Sequence, residues 1–140
     1  MNNPLEYPFD KIKVGLSHDF EVIIDEELVE KFASISGDFN PLHMNEAYAK
    51  ETKFGKRVCH GMLLASFFSR LVGMYLPGVN ALYFAQKLNF VGPCFIGDKI
   101  TVRGEVIDKS EATRIIKLKT TIKNQQEELL IEGTAQVLVR

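Results

Sequence analysis

Apolar residues follow two different periods along the chain. Between residues 61 and 76 they cover every face of a helix, and Arg70 is the only charged residue. This segment is shorter than the about 20 residues that a helix needs to cross a bilayer. A helix that is apolar all round is buried on nearly all sides, and Pro77 with Gly78 marks its end. The pattern predicts a long central helix around which the rest of the chain wraps.

Several other segments alternate polar and apolar residues with a period of two, which is typical of half-buried strands. The predicted strands cover residues 19–24, 82–91, 100–107, 113–123 and 128–139. The segments that separate the last four are short and rich in turn residues, which favours hairpin connections and an antiparallel sheet. One face of that sheet is expected to pack on the central helix and the other to meet water or a partner.

A shorter helix is predicted between the first strand and the central helix. Asp25 can cap its N-terminus, two glutamates follow in its first turn, and Gly37 can end it. Its buried stripe is predicted to consist of Leu28, Phe32 and Ile35. Together these elements indicate an α+β fold in a single domain over residues 1–140, in line with the usual size of a domain.

Composition narrows the possible partners and compartments. With 17 Lys and Arg, 18 Asp and Glu, and a net charge of −1, the chain has no basic surface for a nucleic acid. The N-terminus shows no basic region followed by an apolar run, so neither a leader nor a membrane partner is expected. Cys59 and Cys94 do not form a CxxC pair and fit free thiols in a reducing compartment. A cytoplasmic location is therefore predicted.

Residues that can carry chemistry concentrate in the loop after the first helix. Asp38, Asn40 and His43 lie close together in sequence, and Gly37 and Asn40-Pro41 shape a turn that lets the carboxylate and the imidazole converge. An aspartate and a histidine aimed at one water form a proton-transfer pair, in which one accepts a proton while the other donates one. The residues alone leave open a second interpretation, in which Asp38 caps the following turn and His43 is a surface histidine.

The segment that leads into the central helix is a second candidate. The Gly61 amide lies at a helix N-terminus, where unsatisfied N–H groups can stabilise a carbonyl oxygen that gains negative charge. A tight loop-to-helix junction would also explain this glycine. Ser69, two turns further on, could project a hydroxyl toward the site or bond to its own backbone. Lys53, Lys56 and Arg57 flank the loop and could meet phosphates of a large anionic substrate, although exposed lysines often serve only solubility.

Two other chemistries are less compatible with the pattern. His43, His60, Cys59 and Asp38 include metal-ligand types, but their spacing matches no zinc signature, so no metal site is predicted. The side chains of adjacent residues usually point apart, which argues against Cys59 and His60 as a nucleophile and its base.

Taken together, two motifs resemble a known family. They are SGDFNPLH at residues 36–43 and KRVCHGMLLAS at residues 56–66, and they look like the signature of the (R)-specific enoyl-CoA hydratases in the MaoC-like hydratase/dehydratase family. The predicted order of helix, polar loop, buried helix and strands is similar too, from about Val14 to Val139. Cys59 departs from the pattern, because a small aliphatic residue is expected there, and thiol sensitivity near the site follows as an expectation.

The resemblance implies a hot-dog fold, in which an antiparallel sheet wraps around the long central helix, and a homodimer whose sheets join edge to edge, with higher oligomers left open. It implies a hydro-lyase that reversibly hydrates trans-2-enoyl-CoA in syn fashion to (R)-3-hydroxyacyl-CoA, without a metal or organic cofactor. Fatty-acid and polyhydroxyalkanoate precursor metabolism both fit. By the same resemblance, Asp38 and His43 hold the catalytic water, Asn40 fixes their loop, the Gly61 amide polarises the thioester carbonyl, and Ser69 lines or supports the site.

Three alternatives remain at this point. A 3-hydroxyacyl-acyl-carrier-protein dehydratase would use related chemistry on a different carrier. A hot-dog acyl-CoA thioesterase commonly places a carboxylate on or near the central helix, and residues 62–76 contain no Asp or Glu. A non-catalytic acyl-CoA or acyl-carrier-protein binding subunit would not need both Asp38 and His43.

Overall fold

One antiparallel sheet and a few helices make up the part of the chain that the computed structural model describes, residues 3–140; Met1 and Asn2 of the predicted domain lie outside it. The strands are β1 Ser17–Ile23, β2 Ala81–Phe90, β3 Lys99–Lys109, β4 Ile115–Lys123 and β5 Leu129–Val139. The helices are α1 Glu26–Ser36, α2 Pro41–Met44, α3 Glu46–Lys50 and α4 Gly61–Arg70, besides a 3-10 turn at Phe9–Lys11. The predicted α+β architecture, with a sheet packed on a central helix, is confirmed.

The order of strands in the sheet differs from their order in the chain. It is β1-β3-β4-β5-β2, so β1 and β2 lie at opposite edges. The β3–β4 and β4–β5 hairpins are as predicted, but the predicted hairpin between β2 and β3 is wrong because residues 91–98 cross over the sheet. This crossover pairs instead with the loop before α4, through a bridge between Val58 and Phe95 and a 2.7 Å bond from the Cys59 N–H to the Cys94 carbonyl.

The central helix is shorter and more exposed than predicted. After α4 the chain makes one π-helical turn, Leu71–Tyr75, in which the Leu76 N–H bonds to the Leu71 carbonyl at 2.9 Å. The face toward the sheet is buried through Leu63, Leu64, Ala65, Phe68, Leu71 and Val72. The opposite face is exposed at Met62, Ser66, Ser69 and Gly73. Burial on nearly all sides is therefore a wrong prediction, because the five strands of one chain cover only one side of this helix.

The first helix has the predicted ends but a different buried stripe. The Asp25 carboxylate accepts a 2.9 Å bond from the Leu28 N–H, and Gly37 ends α1 in the left-handed region at φ 78°. The fully buried residues are Val29 and Ala33, with Leu28 and Phe32 packed beside them. Ile35 is 86% exposed, so its predicted burial is wrong. It lies about 200° round the helix from Ala33, on the side away from the core.

The core consists of two apolar clusters, one on each side of the middle of the sheet. The first joins α1 and α4 to β3, β4 and β5, and it includes both cysteines. The second joins the N-terminal segment and the end of the central helix to the far ends of the same strands. Because the first cluster includes Cys59 and Cys94, it supports the loops that hold the candidate site.

Within residues 3–140, none of the helices is long and apolar enough to cross a membrane.

Candidate active site

Side chains of the loop after α1 cap successive backbone amides. The Ser36 hydroxyl accepts from the Asp38 N–H at 3.1 Å, and Asp38 Oδ1 accepts from the Asn40 N–H at 3.1 Å. Asn40 Oδ1 in turn accepts from the Leu42 N–H at 3.0 Å and caps α2. The interpretation of Asp38 as a turn cap is therefore true of one carboxylate oxygen, while Oδ2 remains available. Asn40 is placed to fix this loop.

His43 lies on α2 with one ring nitrogen committed to the backbone. Its Nδ1 is 2.6 Å from the Val58 carbonyl oxygen, and because a carbonyl only accepts, Nδ1 carries the hydrogen. In the neutral ring Nε2 then carries the lone pair, and it lies 3.8 Å from Asp38 Oδ2. The His43 side chain is 17% exposed and that of Asp38 47%. The structure thus brings together the two residues that the sequence singled out.

Arg57 is buried under this loop rather than presented to solvent. Its guanidinium is only 6% exposed; its Nε donates to the His43 carbonyl at 2.6 Å and its Nη1 to Glu26 at 2.7 Å, with Glu46 at 3.6 Å. A buried cation with its partners satisfied within the protein is poorly placed to bind substrate phosphates. The structure therefore does not support Arg57 as a phosphate ligand, and instead shows it tying the His43 backbone to the start of α1.

Lys53 and Lys56 are both exposed. The Lys56 ammonium lies 4.4 Å from the centre of the Phe95 ring, and that of Lys53 lies 5.2 Å from the Phe54 ring. Phe95 belongs to the crossover and directly follows Cys94, which lines the cavity described in the next paragraph. Lys56 therefore lies near that cavity.

A cavity of about 360 Å³ joins His43 to the N-terminus of α4. It is lined by His43, Val58, Cys59, Gly61, Met62, Leu64, Phe90, Gly92, Pro93, Cys94 and Ile131. Gly61 is the first residue of α4, so its amide is among those without an acceptor inside the helix. A Cβ at this position would lie 2.7 Å from the Phe90 ring. With the ring in this position a Cβ would not fit, so a larger residue would require Phe90 or the start of α4 to move.

His60 is a member of the site that the sequence prediction did not include. It is 2% exposed, and its Nε2 donates to the Asp38 carbonyl at 2.9 Å, while its Nδ1 is buried without a partner. Its ring centre lies 4.1 Å from that of His43 and 4.9 Å from that of Phe32. Burial lowers the pKa of His60 below its usual 6.5, which favours the neutral ring.

Asp38, His43 and His60 also form a group with metal-ligand chemistry in the part of the chain that the structure describes. Each offers one ligand atom, and these atoms lie within 4.8 Å of one another. Two imidazoles and a carboxylate suit a divalent transition metal. One nitrogen of each ring is already bonded to a backbone carbonyl, His43 Nδ1 to that of Val58 and His60 Nε2 to that of Asp38. A metal-free site stays our prediction.

The two cysteines are free and lie side by side in the cavity wall. Hydrogen bonding to the Cys59 thiol, together with burial, raises the pKa of Cys94 far above its usual range. Cys94 therefore stays a thiol at neutral pH, which makes it a poor nucleophile.

Ser69 is exposed on α4 and is not among the residues that line the cavity. Within one chain, the structure does not bring it to Asp38 and His43. Its predicted supporting role stays a prediction, which would require a second chain over this face.

Comparisons with known proteins identify the family of this chain. The family described as MaoC like domain matches residues 10–128. An (R)-specific enoyl-CoA hydratase of Aeromonas caviae is 45% identical over 109 residues, which cover 78% of this chain and 81% of that protein. An (R)-specific enoyl-CoA hydratase of Rhodospirillum rubrum is 39% identical over 131 residues, which cover 94% of this chain and 90% of that protein. The predicted enzyme class, a hydro-lyase of the enoyl-CoA hydratase type, is the class of these relatives.

Solved structures of related enzymes share the fold. The (R)-hydratase from A. caviae involved in PHA biosynthesis matches with a TM-score of 0.90 and 40% identity, over 92% of this chain and 98% of that one. An unliganded R-hydratase from Pseudomonas aeruginosa also gives a TM-score of 0.90, at 32% identity and over 94% and 84% of the two chains. The predicted hot-dog fold is thereby confirmed, and the chain belongs to the MaoC-like family.

Proposed function

We propose that this protein is an (R)-specific enoyl-CoA hydratase that adds water reversibly to trans-2-enoyl-CoA and forms (R)-3-hydroxyacyl-CoA. The observation that carries the proposal is that Asp38 Oδ2 lies 3.8 Å from Nε2 of His43, and that His43 lines a cavity together with Gly61, the first residue of α4. The names of the relatives at 39% and 45% identity support the same reaction.

The geometry of this pair favours a bound water. An ionised Asp38 and a neutral His43, whose hydrogen is on Nδ1, both present lone pairs to the space between them. A water has two O–H donors and can bond to both acceptors at about 2.8 Å each. Such a water is held with its oxygen lone pairs free to attack a substrate in the cavity. Asp38 and His43, together called the dyad below, thus position and deprotonate the nucleophile.

The Gly61 amide supplies the second half of the reaction. Its N–H has no acceptor inside the helix and donates to the thioester oxygen, which draws electrons from C3 of the conjugated alkene. Water oxygen bonds to C3 as the dyad takes its proton, and the alkene electron pair moves to C2 while negative charge builds on the thioester oxygen. The protonated dyad then delivers a proton to C2. Because attack and protonation come from the same group of side chains, both additions occur on one face.

Coenzyme A is the carrier that we propose, with Lys56 and Lys53 as candidate contacts to its phosphates. Two mitochondrial 3-hydroxyacyl-[acyl-carrier-protein] dehydratases of plants are 33% and 32% identical to this chain, less than the two CoA-dependent relatives. We place the protein in the cytoplasm, in fatty-acid or polyhydroxyalkanoate precursor metabolism.

A homodimer is the assembly that we propose. β2 is an edge strand whose outer side has no neighbour among residues 3–140, and it carries three exposed apolar side chains, Leu82, Phe84 and Phe90, at 52%, 64% and 52%. Unpaired edges with exposed apolar side chains favour strand pairing. A second β2 on this edge would extend the sheet and place the partner over the exposed face of α4, which includes Ser69.

The absorbance of the conjugated enoyl thioester tests the function. Purified protein is expected to remove it from crotonyl-CoA faster than from crotonyl-acyl-carrier-protein. The rate should be unchanged after dialysis against a metal chelator, since we propose neither a metal nor an organic cofactor. A preference for the carrier-protein substrate would favour the dehydratase alternative, and no absorbance loss with either substrate would contradict the proposal.

A further inference from the structure

His60 connects the two halves of the candidate site. Its side chain binds the loop that carries Asp38, its ring lies against that of His43, and its backbone continues directly into Gly61. Asp38, His43 and Gly61 are not joined to one another by side-chain hydrogen bonds, since the Asp38 and His43 atoms are 3.8 Å apart. The relative placement of the dyad and the Gly61 amide therefore depends on groups between them.

The hydrogen bond of His60 requires one tautomer. The Asp38 carbonyl can only accept, so the hydrogen lies on Nε2, and Nδ1 keeps a lone pair in a buried position without a partner. Protonation of Nδ1 would bury a cation near Arg57 and His43, although the nearby Asp38 carboxylate would offset part of that penalty. The neutral ring with Nε2–H is therefore the form that fits this site.

The contacts of the ring fix its orientation. Phe32 of α1 packs edge-on at 60°, and the His43 ring packs against the His60 ring at a tilt of 32°. His60 is 2% exposed, whereas the Asp38 side chain is 47% exposed, so the His60 ring is closed off from a substrate. Its influence on the reaction must pass through the residues that it holds.

We propose that His60 is a positioning residue, whose Nε2–H bond to the Asp38 carbonyl and contact with the His43 ring set the distance between the dyad and the Gly61 amide. This inference rests on the proposed hydratase function. A water held by the dyad must reach C3 while the thioester oxygen reaches Gly61, and a displacement of about 1 Å in such a geometry lowers rates by on the order of a hundredfold.

Two substitutions separate positioning from mere packing. In His60→Gln the side-chain amide retains an N–H donor at a reach similar to that of Nε2, whereas His60→Leu has none. For crotonyl-CoA hydration, we expect His60→Leu to lower kcat by on the order of tenfold to a hundredfold with little change in KM, because no substrate contact is removed. His60→Gln should recover most of kcat. Val137→Ala, in the second core cluster, controls for lost stability and should keep the wild-type kcat.

Wild-type kcat in His60→Leu would overturn the proposal, as would equal losses in the Gln and Leu variants. The tautomer of His60, measured by ¹⁵N NMR of the wild-type protein, gives a readout that does not depend on activity. Hydrogen on Nε2 at neutral pH supports the inference, and hydrogen on Nδ1 contradicts it. If wild-type protein shows the Nε2–H tautomer but hydrates no enoyl thioester, the proposed function fails while the structural link from His60 to Asp38 stands.

Discussion

His43 Nε2 and Asp38 Oδ2 face each other at 3.8 Å, too far for a direct hydrogen bond and close enough for one water to bond to both. His43 is held in this orientation by the Val58 carbonyl, and Asp38 by the Asn40 amide. Each side chain of the proposed dyad thus uses one atom to bind the backbone and leaves the other free for the chemistry that we propose. This division makes it possible to remove the chemistry while keeping the fold.

Asp38→Asn should abolish most activity without unfolding the loop. The amide oxygen can still accept from the Asn40 N–H, but the second atom no longer carries the negative charge that takes a proton from water. We expect kcat for crotonyl-CoA to fall by roughly a hundredfold to ten-thousandfold, with an unchanged circular dichroism spectrum. Asp108→Asn, an exposed aspartate on β3, is the matched control. Hydration at the wild-type rate by Asp38→Asn would refute its role.

His43→Asn tests the other half of the dyad. The asparagine side-chain N–H can replace Nδ1–H toward the Val58 carbonyl, while nothing replaces Nε2. A loss of kcat similar in size to that of Asp38→Asn is expected, since both residues act on the same water. The double variant should then be little worse than either single one. Strictly multiplicative losses in kcat would show instead that the two side chains act independently.

Gly61→Ala should lower kcat because of a steric conflict with Phe90. The new Cβ would lie 2.7 Å from the ring, so either the ring or the start of α4 must move, and we expect a loss of about tenfold or more. Phe90 is 52% exposed and can be reduced in size. The Gly61→Ala/Phe90→Leu variant should regain part of the lost activity; if it regains none, the conflict with the ring is not the cause.

Acid pH should destabilise the fold in part through His60. The pKa of His60 is lowered by burial, so at pH values just below 6.5 the unfolded chain binds a proton that the folded chain does not. The contribution of His60 to the free energy of unfolding is therefore complete above about pH 6.5, and it is lost as the pH falls from there through the lowered pKa. Urea unfolding at pH 7.5 and 5.0 should show a smaller difference for His60→Gln than for wild type. Equal differences would exclude this contribution.

Lys56 should affect affinity for the carrier and not the chemistry. We expect Lys56→Ala to raise KM for crotonyl-CoA by about twofold to fivefold, the size of a solvent-exposed ion pair. KM for the N-acetylcysteamine thioester, which has no phosphates, should not change. Lys117→Ala, an exposed lysine on β4, is the control. A rise in KM with both thioesters would point to a general change in the cavity.

Local sequence patterns predicted much of the fold and the candidate site. The caps of α1 at Asp25 and Gly37, the strands, and the grouping of Asp38, Asn40 and His43 all depend on residues close together in the chain. Arg57 and His60 could not be assigned in this way, because their bonds reach residues 14, 31 and 22 positions away. The same limit explains why the predicted β2–β3 hairpin is wrong, because a short connecting segment does not determine which strands become neighbours in the sheet.

The stereochemistry of hydration tests the central claim most directly. Crotonyl-CoA would be incubated with the wild-type protein, and the product would be oxidised by a dehydrogenase selective for either (R)- or (S)-3-hydroxyacyl-CoA. The proposed (R)-specific reaction, which is supported by the names of the relatives at 45% and 39% identity, predicts that only the (R)-selective dehydrogenase reduces its nicotinamide cofactor. Reduction by the (S)-selective enzyme, or by neither while the protein is folded, would contradict the account.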